Sequence, residues 1–295
     1  MPSLDYLAGV AGEVQKVVLV TPTAITADGN SPGVDSTSFS GKCLVDAAIF
    51  NTKGTTPTMD IKLQESSEVV PVDALTYAGT GTGVISEIEV GPDAVHETIT
   101  VTLSSASAFA VSGGTTGAMA AGVVGTRYVS QQCSFIIHAG AVAFVNTDAF
   151  GFHITKDRAY TDVVDGAITQ VGANILTYKT LNADELGKFL RLNYTLAQTA
   201  IDLAGASKAN PCIITYVGHG LNSLDTVTIA GITQNDWAAA LNKSHIITKL
   251  TADTFSIPVD TSGIAVAYNA ATDPGTIVSD TKSYTVAANI FGFKR

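Results

Sequence analysis

The sequence predicts an all-β protein: a discontinuous β-sandwich base domain that carries two small inserted β domains of sandwich or barrel-like form. Three observations predict this fold class. Hydrophobic residues make up 46% of the 295 residues and charged residues only 14%, so the polar surface comes mostly from Thr, Ser, Asn and Gly, which suit strands and turns. Apolar and polar residues alternate with period two in many short segments. Turn signals such as Asp28–Gly33 separate these segments at short intervals.

The alternation is clearest in residues 58–64. Met59, Ile61 and Leu63 share one face of the predicted strand, and Asp60 and Lys62 share the other. One face can pack a core while the other meets water or a neighbour. The same pattern recurs in residues 98–103, 150–155, 189–196 and 255–259. Helical signals are weak, and the better candidates are residues 182–188 and 234–241.

The order of the segments predicts that the base domain is interrupted twice. The last strand, SYTVAANIF, follows a self-contained run of strands and has no partner of its own, and a lone strand is not stable. We therefore expect it to return to the sheet that holds FLRLNYTL. The predicted boundaries are 1–72 for the first part of the base with an N-terminal arm, 73–155 for the first inserted domain, 156–205 for the second part of the base, 206–282 for the second inserted domain and 283–295 for the closing strand of the base.

The charge balance restricts the partners that we expect. The formal net charge is −10, which repels phosphate backbones, so we expect no binding to nucleic acid. No apolar run approaches the ~20 residues that a membrane helix needs, so we expect no membrane contact. The N-terminus lacks the basic and apolar regions of a signal peptide, and we expect a protein made and used in a soluble phase.

The residue types that carry chemistry in other proteins are scattered here. Cys43, Cys133 and Cys212 share no metal-ligand spacing, and we expect buried free thiols. No two of the five histidines are close enough in sequence to form a HxxxH or HxH metal pair; they are His96, His138, His153, His219 and His245. We expect a structural role for His219, which lies in a Gly-His-Gly turn. The sequence thus predicts no catalytic, cofactor-binding or metal-binding residue, no cofactor and no enzymatic activity.

Two further features have a functional and a structural interpretation. Gly79–Gly83 resembles a phosphate-binding loop, but no Lys-Ser/Thr follows it, and we interpret it as a flexible linker leading into the first insertion. Trp237 lies in a polar segment, where packing within its own domain is favoured over an anchor for a partner.

The base resembles a β-sandwich common among structural proteins of tailed bacteriophages. The resemblance is carried by four segments: GKCLVDAAIFNTKGTTPTMDIKLQES, DGAITQVG, ELGKFLRLNYTLA and SYTVAANIFGF. In that family the GTTPT turn joins two paired strands. The chain differs from the family because its closing hairpin is split by the second insertion.

Both insertions are similar to small β modules of phage head-decoration, tail and fibre proteins. The first contains ETITVTLSSASAFAVSGGTTGAMAAGVVGTRY and FIIHAGAVAFVNTDAFGFHIT, and the second contains ITYVGHGLNSLDTVTIAGI and LNKSHIITKLTADTFSIPVD. Relatives of the first module usually carry a Gly-Asp pair before the last Phe-containing strand. This chain has Asn146-Thr-Asp148 there instead.

The resemblance implies a virion structural protein, assembled in the cytoplasm of the host bacterium. Our preferred expectation is a capsid decoration or cement protein that stabilises the phage head, with the major capsid protein and copies of itself, as a homotrimer, as partners. The alternatives are a tail, baseplate or fibre component that contacts the host, and a carbohydrate-binding or carbohydrate-degrading protein. We expect the polar face with Asp60 and Lys62 to meet partners. The apolar residues among the first 25 are expected to form an arm that is either self-packed or extended onto a neighbouring subunit.

Overall fold

The structure, a computed structural model, describes residues 14–53, 57–171, 175–280 and 282–294. Strands make up 54% of it and helices 3%, so the predicted all-β fold class is confirmed. Most of the predicted arm, residues 1–13, lies outside the described residues, and so does most of the GTTPT turn, residues 54–56. No helix in the described part of the chain is long and apolar enough to cross a membrane.

The strands of the base form two antiparallel sheets. Sheet 1 has the order β1 (Val14–Ile25), β26 (Ser283–Lys294), β4 (Phe39–Lys53) and β16 (Ile175–Asn182). Sheet 2 has the order β15 (Thr161–Val171), β5 (Pro57–Ser66) and β17 (Phe189–Gln198), followed by two short strands that both pair with β17, namely β2 (Gly29–Asn30) and β3 (Val34–Asp35). A 3-10 turn, Ala183–Glu185, lies in the first predicted helical segment.

The two sheets of the base share one hydrophobic cluster. Met59, Ile61 and Leu63 of β5 are fully buried in it, as the alternation predicts. The cluster also takes side chains from β1, β4, β15, β17 and β26. Residues that are far apart in sequence therefore build a single core, because period-two strands bury one face each.

The closing strand β26 joins the sheet opposite to the expected one. It pairs with β1 and β4 in sheet 1, whereas FLRLNYTL forms β17 in sheet 2, so the expectation that both share a sheet is wrong. β17 is already paired on both sides: β5 pairs along its whole length on one side, and on the other β3 pairs at Phe189–Leu190 and β2 at Asn193–Tyr194. The two strands instead contribute to the same core from opposite sheets.

Residues 14–25 are part of the base and not an arm in front of it. They form β1, whose residues pair with β26 from Val14 opposite Phe293 to Ile25 opposite Tyr284. Leu19 and Val20 are buried in the core of the base. The expectation of an arm can therefore apply only to residues 1–13.

The first insertion contains nine strands in two sheets. The larger sheet has the order β10 (Gly117–Ala118), β9 (Ala108–Gly113), β8 (Glu97–Leu103), β14 (Ala149–Ile154) and β6 (Val72–Ala78), with β11 (Gly122–Val123) also paired to β9. The smaller sheet has the order β12 (Tyr128–Val129), β13 (Cys133–His138) and β7 (Val84–Val90). A second hydrophobic cluster, from Val70 to Ile154, fills this part of the chain.

The second insertion contains two four-stranded sheets and one short helix. One sheet has the order β18 (Ile201–Asp202), β25 (Thr276–Ser279), β21 (Thr226–Ala230) and β22 (Ser244–Ile246). The other has the order β19 (Gly205–Ala206), β20 (Cys212–Thr215), β24 (Thr254–Ile257) and β23 (Thr248–Lys249). Helix α1, Asn235–Leu241, lies in the second predicted helical segment.

A third hydrophobic cluster, from Leu203 to Ile277, belongs to the second insertion. Leu203 packs in this cluster, although the predicted boundary places it in the base. Each of the three clusters thus draws on its own stretches of the chain. The predicted boundaries, and the ability of each part to fold alone, remain predictions.

Candidate partner-binding surface

The cysteines lie in environments that suppress their chemistry. Cys43, Cys133 and Cys212 are free and buried. Burial raises the pKa of the Cys43 and Cys133 thiols to about 11, so both thiols stay protonated and unreactive at neutral pH. Among the described residues, no group of three or more His, Cys, Asp or Glu side chains is arranged to hold a metal ion.

His219 holds a loop of the second insertion in place. Its side chain is buried, its Nδ1 accepts a hydrogen bond from the Leu221 N–H at 3.0 Å, and its Nε2 lies 3.1 Å from the Thr251 carbonyl oxygen. Because Nδ1 accepts, the proton is on Nε2, which makes the ring a neutral donor to that carbonyl. The imidazole therefore bridges two loops and has no nitrogen left for a ligand.

Trp237 packs within the second insertion. The indole is 1% exposed, its N–H donates to the Val266 carbonyl at 3.0 Å, and its ring meets Tyr268 edge to face. A carbohydrate site usually needs exposed aromatic side chains, and this tryptophan is not available for one. A groove of about 450 Å³ beside β1 contains one aromatic residue, Tyr194, and no carboxylate.

The polar face of sheet 2 that we expected to meet partners is exposed and internally bonded. Lys62 Nζ lies 2.9 Å from an Asp162 carboxylate oxygen, and the Gln64 amide donates to the other oxygen at 2.8 Å. Arg191 Nε donates to Gln64 at 2.9 Å. The hydrogen bond from Lys62 to Asp162 raises the pKa of Lys62. Such an exposed network contributes little to stability and leaves a flat, hydrophilic surface.

Gly79–Gly83 is an ordered loop inside the first insertion. It connects β6, which pairs with β14, to β7, which pairs with β13. The interpretation as a linker leading into the insertion is therefore wrong, because β6 already belongs to the sheet of this insertion. A Cβ atom at Gly79 would overlap Asp148, and one at Gly83 would overlap Phe144, so glycine is needed for the close approach.

Asp148 is the centre of this loop. Its carboxylate accepts hydrogen bonds from the backbone N–H groups of Thr80, Gly81 and Val145 at 3.0–3.1 Å and from the Tyr77 hydroxyl at 3.2 Å. Burial opposes its ionisation, but these donors outweigh burial and hold the pKa of Asp148 below its ordinary value. The glycine-rich loop does surround an anion, and that anion is the protein's own carboxylate.

A second loop, residues 139–148, closes against the first. The Thr82 N–H donates to the Val142 carbonyl at 3.1 Å, and the Val142 N–H donates to the Thr82 hydroxyl at 2.9 Å. Thr147 adopts a φ of 84°, which a β-branched residue rarely adopts, and its N–H is fixed by the Leu103 carbonyl at 3.0 Å. The two loops therefore have a defined shape that local preference alone would not give.

These loops expose hydrophobic side chains at the end of the insertion far from the base. Val84, Val142 and Val145 are 57%, 51% and 48% exposed, and residues 79–84 and 139–147 contain no charged side chain. We call these three valines the apolar tip. Strand β6 runs from Val72 near the base to Ala78, so the tip lies roughly 20 Å from the connection. These two uncharged loops with three exposed valines, on a strongly acidic protein, are the candidate surface for binding another protein.

The first insertion is fastened to the base by a buried arginine. Arg158 Nε donates to the Gly91 carbonyl at 2.8 Å and Nη2 donates to the Val90 carbonyl at 2.9 Å, while Nη1 donates to the Glu68 carbonyl. Its guanidinium lies 4.4 Å from the centre of the Phe189 ring. One side chain therefore joins β7 of the insertion to β17 of the base.

Further contacts lie beside the arginine. Asp93 of the insertion accepts from the Gly33 N–H of the base at 2.9 Å. Burial, set against this hydrogen bond, raises the pKa of Asp93. The Tyr160 hydroxyl donates to the Pro92 carbonyl at 2.9 Å, and Arg191 stacks 4.1 Å from the Tyr160 ring centre. We call the contacts of Arg158, Asp93 and Tyr160 the clamp.

The connection of the second insertion is built differently. The Gln198 amide donates to the Ser279 carbonyl, and Lys282 Nζ donates to the Leu196 carbonyl at 2.6 Å. These bonds join the outgoing segment of the chain to the returning segment. We call this connection the second neck.

Neither the tip nor the clamp was identified as a site from the sequence. The Asn146-Thr-Asp148 motif was noticed, but its partners Thr80 and Gly81 lie 68 and 67 residues away. The carbonyls that Arg158 binds are 67 to 90 residues distant.

Comparison with protein-family models, curated proteins and solved structures found no match.

Proposed function

We propose that this protein is a structural component of a tailed-phage virion, and that it decorates the assembled head and braces neighbouring capsomers. The observation that carries the proposal is the apolar tip, three exposed valines on uncharged, hydrogen-bonded loops about 20 Å from the connection to the base. A bracing protein needs contact area in a fixed geometry and no reaction chemistry.

Three features support a binding role over a catalytic one. The side chains of His219 and Asp148 accept hydrogen bonds from backbone N–H groups of the protein itself. The free thiols are buried. The surface combines an apolar tip with the polar face of sheet 2, and protein interfaces commonly combine an apolar centre with a polar rim.

The partners in this proposal are the major capsid protein and further copies of the chain, with a threefold arrangement implied by the resemblance. The protein would then reside in the virion after assembly in the bacterial cytoplasm. A standard protein interface buries roughly 1,600 Å², and a bracing protein exceeds this area when all neighbours are counted.

Binding to purified phage heads that lack this protein tests the proposal. The wild-type protein should bind such heads. Val142→Asp should weaken binding about tenfold or more, because removing a carboxylate from water at the interface is unfavourable. Val129→Asp is the matched control, since Val129 is 69% exposed on the same insertion but lies outside the tip. If both variants bind heads equally well, the tip is not part of the interface.

Truncation of the predicted arm must respect β1. Removing residues 1–13 leaves the first described strand intact, whereas removing residues 1–20 would also delete Leu19 and Val20 from the core of the base. Loss of head binding on the shorter truncation, with an unchanged melting temperature, would support an arm that reaches a neighbour. A wild-type protein that binds tails and not heads would favour the tail or baseplate alternative.

A further inference from the structure

The base has an open groove between its two sheets. Residues of β1 line it from sheet 1, and residues 30–32 with Val34 line it from the side of sheet 2. Its volume is about 450 Å³. Ile25 and Val34 line the groove and also pack against the hydrophobic cluster of the base, while Val18 on its wall is 43% exposed. The groove therefore leaves one margin of this core uncovered.

The lining of the groove carries no charge. All the described side chains that line it are apolar or neutral, although the chain has a formal net charge of −10. An ion placed there would lose its hydration without gaining a partner of opposite charge. The groove therefore favours an occupant that presents apolar side chains.

The chain enters the base close to one end of the groove. Val14 and Ile25 are the first and last residues of β1, and the residues of β1 that line the groove run from Val18 to Ile25. The chain before Val14 therefore starts roughly 13 Å beyond the groove. Residues 1–13 span at most roughly 45 Å when extended. A return over this distance, followed by the length of the groove, needs only roughly 36 Å.

From this placement we infer that residues 4–8 occupy the groove of their own chain. Leu4 and Tyr6 supply the apolar side chains, and in an extended segment they share the face opposite Asp5, whose carboxylate stays in water. Two glycines between this segment and β1 allow the chain to reverse its direction. The occupant is this segment because its covalent attachment beside the groove gives it a high effective concentration, which a separate chain lacks.

Cleavage by chymotrypsin after Tyr6 tests the inference in the full-length protein. A protease cleaves a bound segment only when the segment leaves its site. The wild-type protein should therefore be cleaved at Tyr6 about tenfold or more slowly than a synthetic peptide of residues 1–13.

A substitution in the groove shows whether the groove is the site. Thr23→Trp places a large ring among the lining residues and should accelerate cleavage after Tyr6 about tenfold or more. Thr195→Trp adds the same ring on the exposed face of β17 and should leave the cleavage rate unchanged. Equal melting temperatures of the two variants show that the base is folded in both.

A substitution in the segment gives the same information without a change in the base. Leu4→Ser removes one of the apolar side chains and should also accelerate cleavage after Tyr6. The matching control is a synthetic peptide with the same substitution, which corrects for the sequence preference of the protease.

Sedimentation velocity at the concentrations used for proteolysis completes the test. Slow cleavage in a monomer, relieved by Thr23→Trp and by Leu4→Ser, supports the inference. Cleavage of the wild-type protein as fast as that of the peptide overturns it, and so does slow cleavage that Thr23→Trp leaves unchanged. Slow cleavage found only where oligomers form also overturns it, because the segment then lies on a neighbouring copy. The inference does not depend on where the protein lies in a virion.

Discussion

The two insertions are connected to the base in different ways. The first is held by the clamp, in which Arg158, Asp93 and Tyr160 link the base to strands and turns of the insertion. At the second neck, the described hydrogen bonds of Gln198 and Lys282 link the outgoing and returning segments of the chain. The clamp joins the base to the first insertion through several side chains, whereas the described neck bonds lie where the chain enters and leaves the second insertion.

This difference bears on what each insertion can do. A clamped insertion presents its apolar tip in one orientation, so its binding does not require the loss of much conformational entropy. For the second insertion, the described neck bonds lie close to the two chain crossings, and we expect its orientation to be fixed only on binding, with a loss of conformational entropy. We therefore expect the first insertion to provide a fixed contact and the second to provide an adaptable one.

The largest expected effect comes from removing each insertion in turn. Replacement of residues 206–282 by a short Gly/Ser linker should leave a base that unfolds cooperatively near the wild-type temperature, because closing a short loop costs little. Replacement of residues 73–155 should lower the melting temperature by about 6–12 °C, equivalent to about 3 kcal/mol for a chain of this size. The loss is expected because Arg158, Tyr160 and Gly33 would lose the groups of the insertion to which they donate hydrogen bonds.

Calorimetry of both deletion proteins is the measurement. An insoluble product from the 206–282 deletion would show that the second insertion supports the base as well. An unchanged melting temperature after the 73–155 deletion would mean that the clamp stabilises the insertion and contributes nothing to the base.

The next largest effect should come from Arg158→Met, which keeps an unbranched apolar stem and removes the hydrogen-bond donors. Three backbone carbonyl groups, those of Glu68, Val90 and Gly91, lose a hydrogen bond in a buried site. The expected cost is about 3 kcal/mol of unfolding free energy, measured by chemical denaturation.

Arg127→Met is the matched control for this substitution. Arg127 forms exposed ion pairs with Glu87 at 2.7 Å and Glu89 at 3.5 Å, and its loss should cost less than about 1 kcal/mol. Equal costs for the two arginines would contradict the importance of the clamp.

A smaller and more local effect is expected from Asp148→Asn. The amide group replaces one carboxylate oxygen by an NH2 donor, which would face the N–H of Thr80 or those of Gly81 and Val145. The two tip loops should therefore separate while the core strands stay closed. Hydrogen exchange should accelerate in residues 79–83 and 139–147 and should be unchanged in β8 and β14. Asp60→Asn, on the exposed face of β5, provides the control.

The same carboxylate predicts a pH dependence. The pKa of Asp148 is lowered in the folded protein, so its stabilisation is present above the ordinary aspartate pKa of about 3.9 and is lost as the pH falls through the lower folded value. Exchange in the wild-type tip should be slow at neutral pH and should rise only below about pH 3.9. Exchange in the Asp148→Asn tip should lack this transition after correction for intrinsic exchange rates.

The contrast between alternation and long-range contacts explains which features the sequence predicted. Period-two alternation is local, and it correctly predicted that Met59, Ile61 and Leu63 are buried. Alternation tells which face of a strand is buried but not which strand lies beside it. For this reason the closing strand was placed in the wrong sheet: the outer side of β17 is partly paired with β2 and β3, and strands of two residues carry no pattern.

The candidate site was harder to predict because its residues meet only after folding. Gly79–Gly83 has the composition of a flexible linker, and only the distant Asp148 and Phe144 make it an ordered loop. Arg158 resembles any surface arginine in the sequence until its three carbonyl partners are known. The position of the tip and the clamp therefore required the tertiary structure.

The smallest expected effect concerns the exposed ion pair at the rim of the clamp. Lys188 Nζ lies 3.3 Å from Glu89, and both side chains are largely exposed. An exposed pair gains little energy because water screens it and two long side chains must be ordered. Lys188→Ala should therefore lower the unfolding free energy by less than about 1 kcal/mol, and the double variant with Glu89→Ala should show a coupling energy near zero. Lys188→Ala should lower the unfolding free energy in the Glu89→Ala background as well, because Lys188 also lies 5.1 Å from the Phe189 ring centre. A coupling energy comparable to the loss in Arg158→Met would show that the charged rim, and not the buried arginine, holds the first insertion to the base.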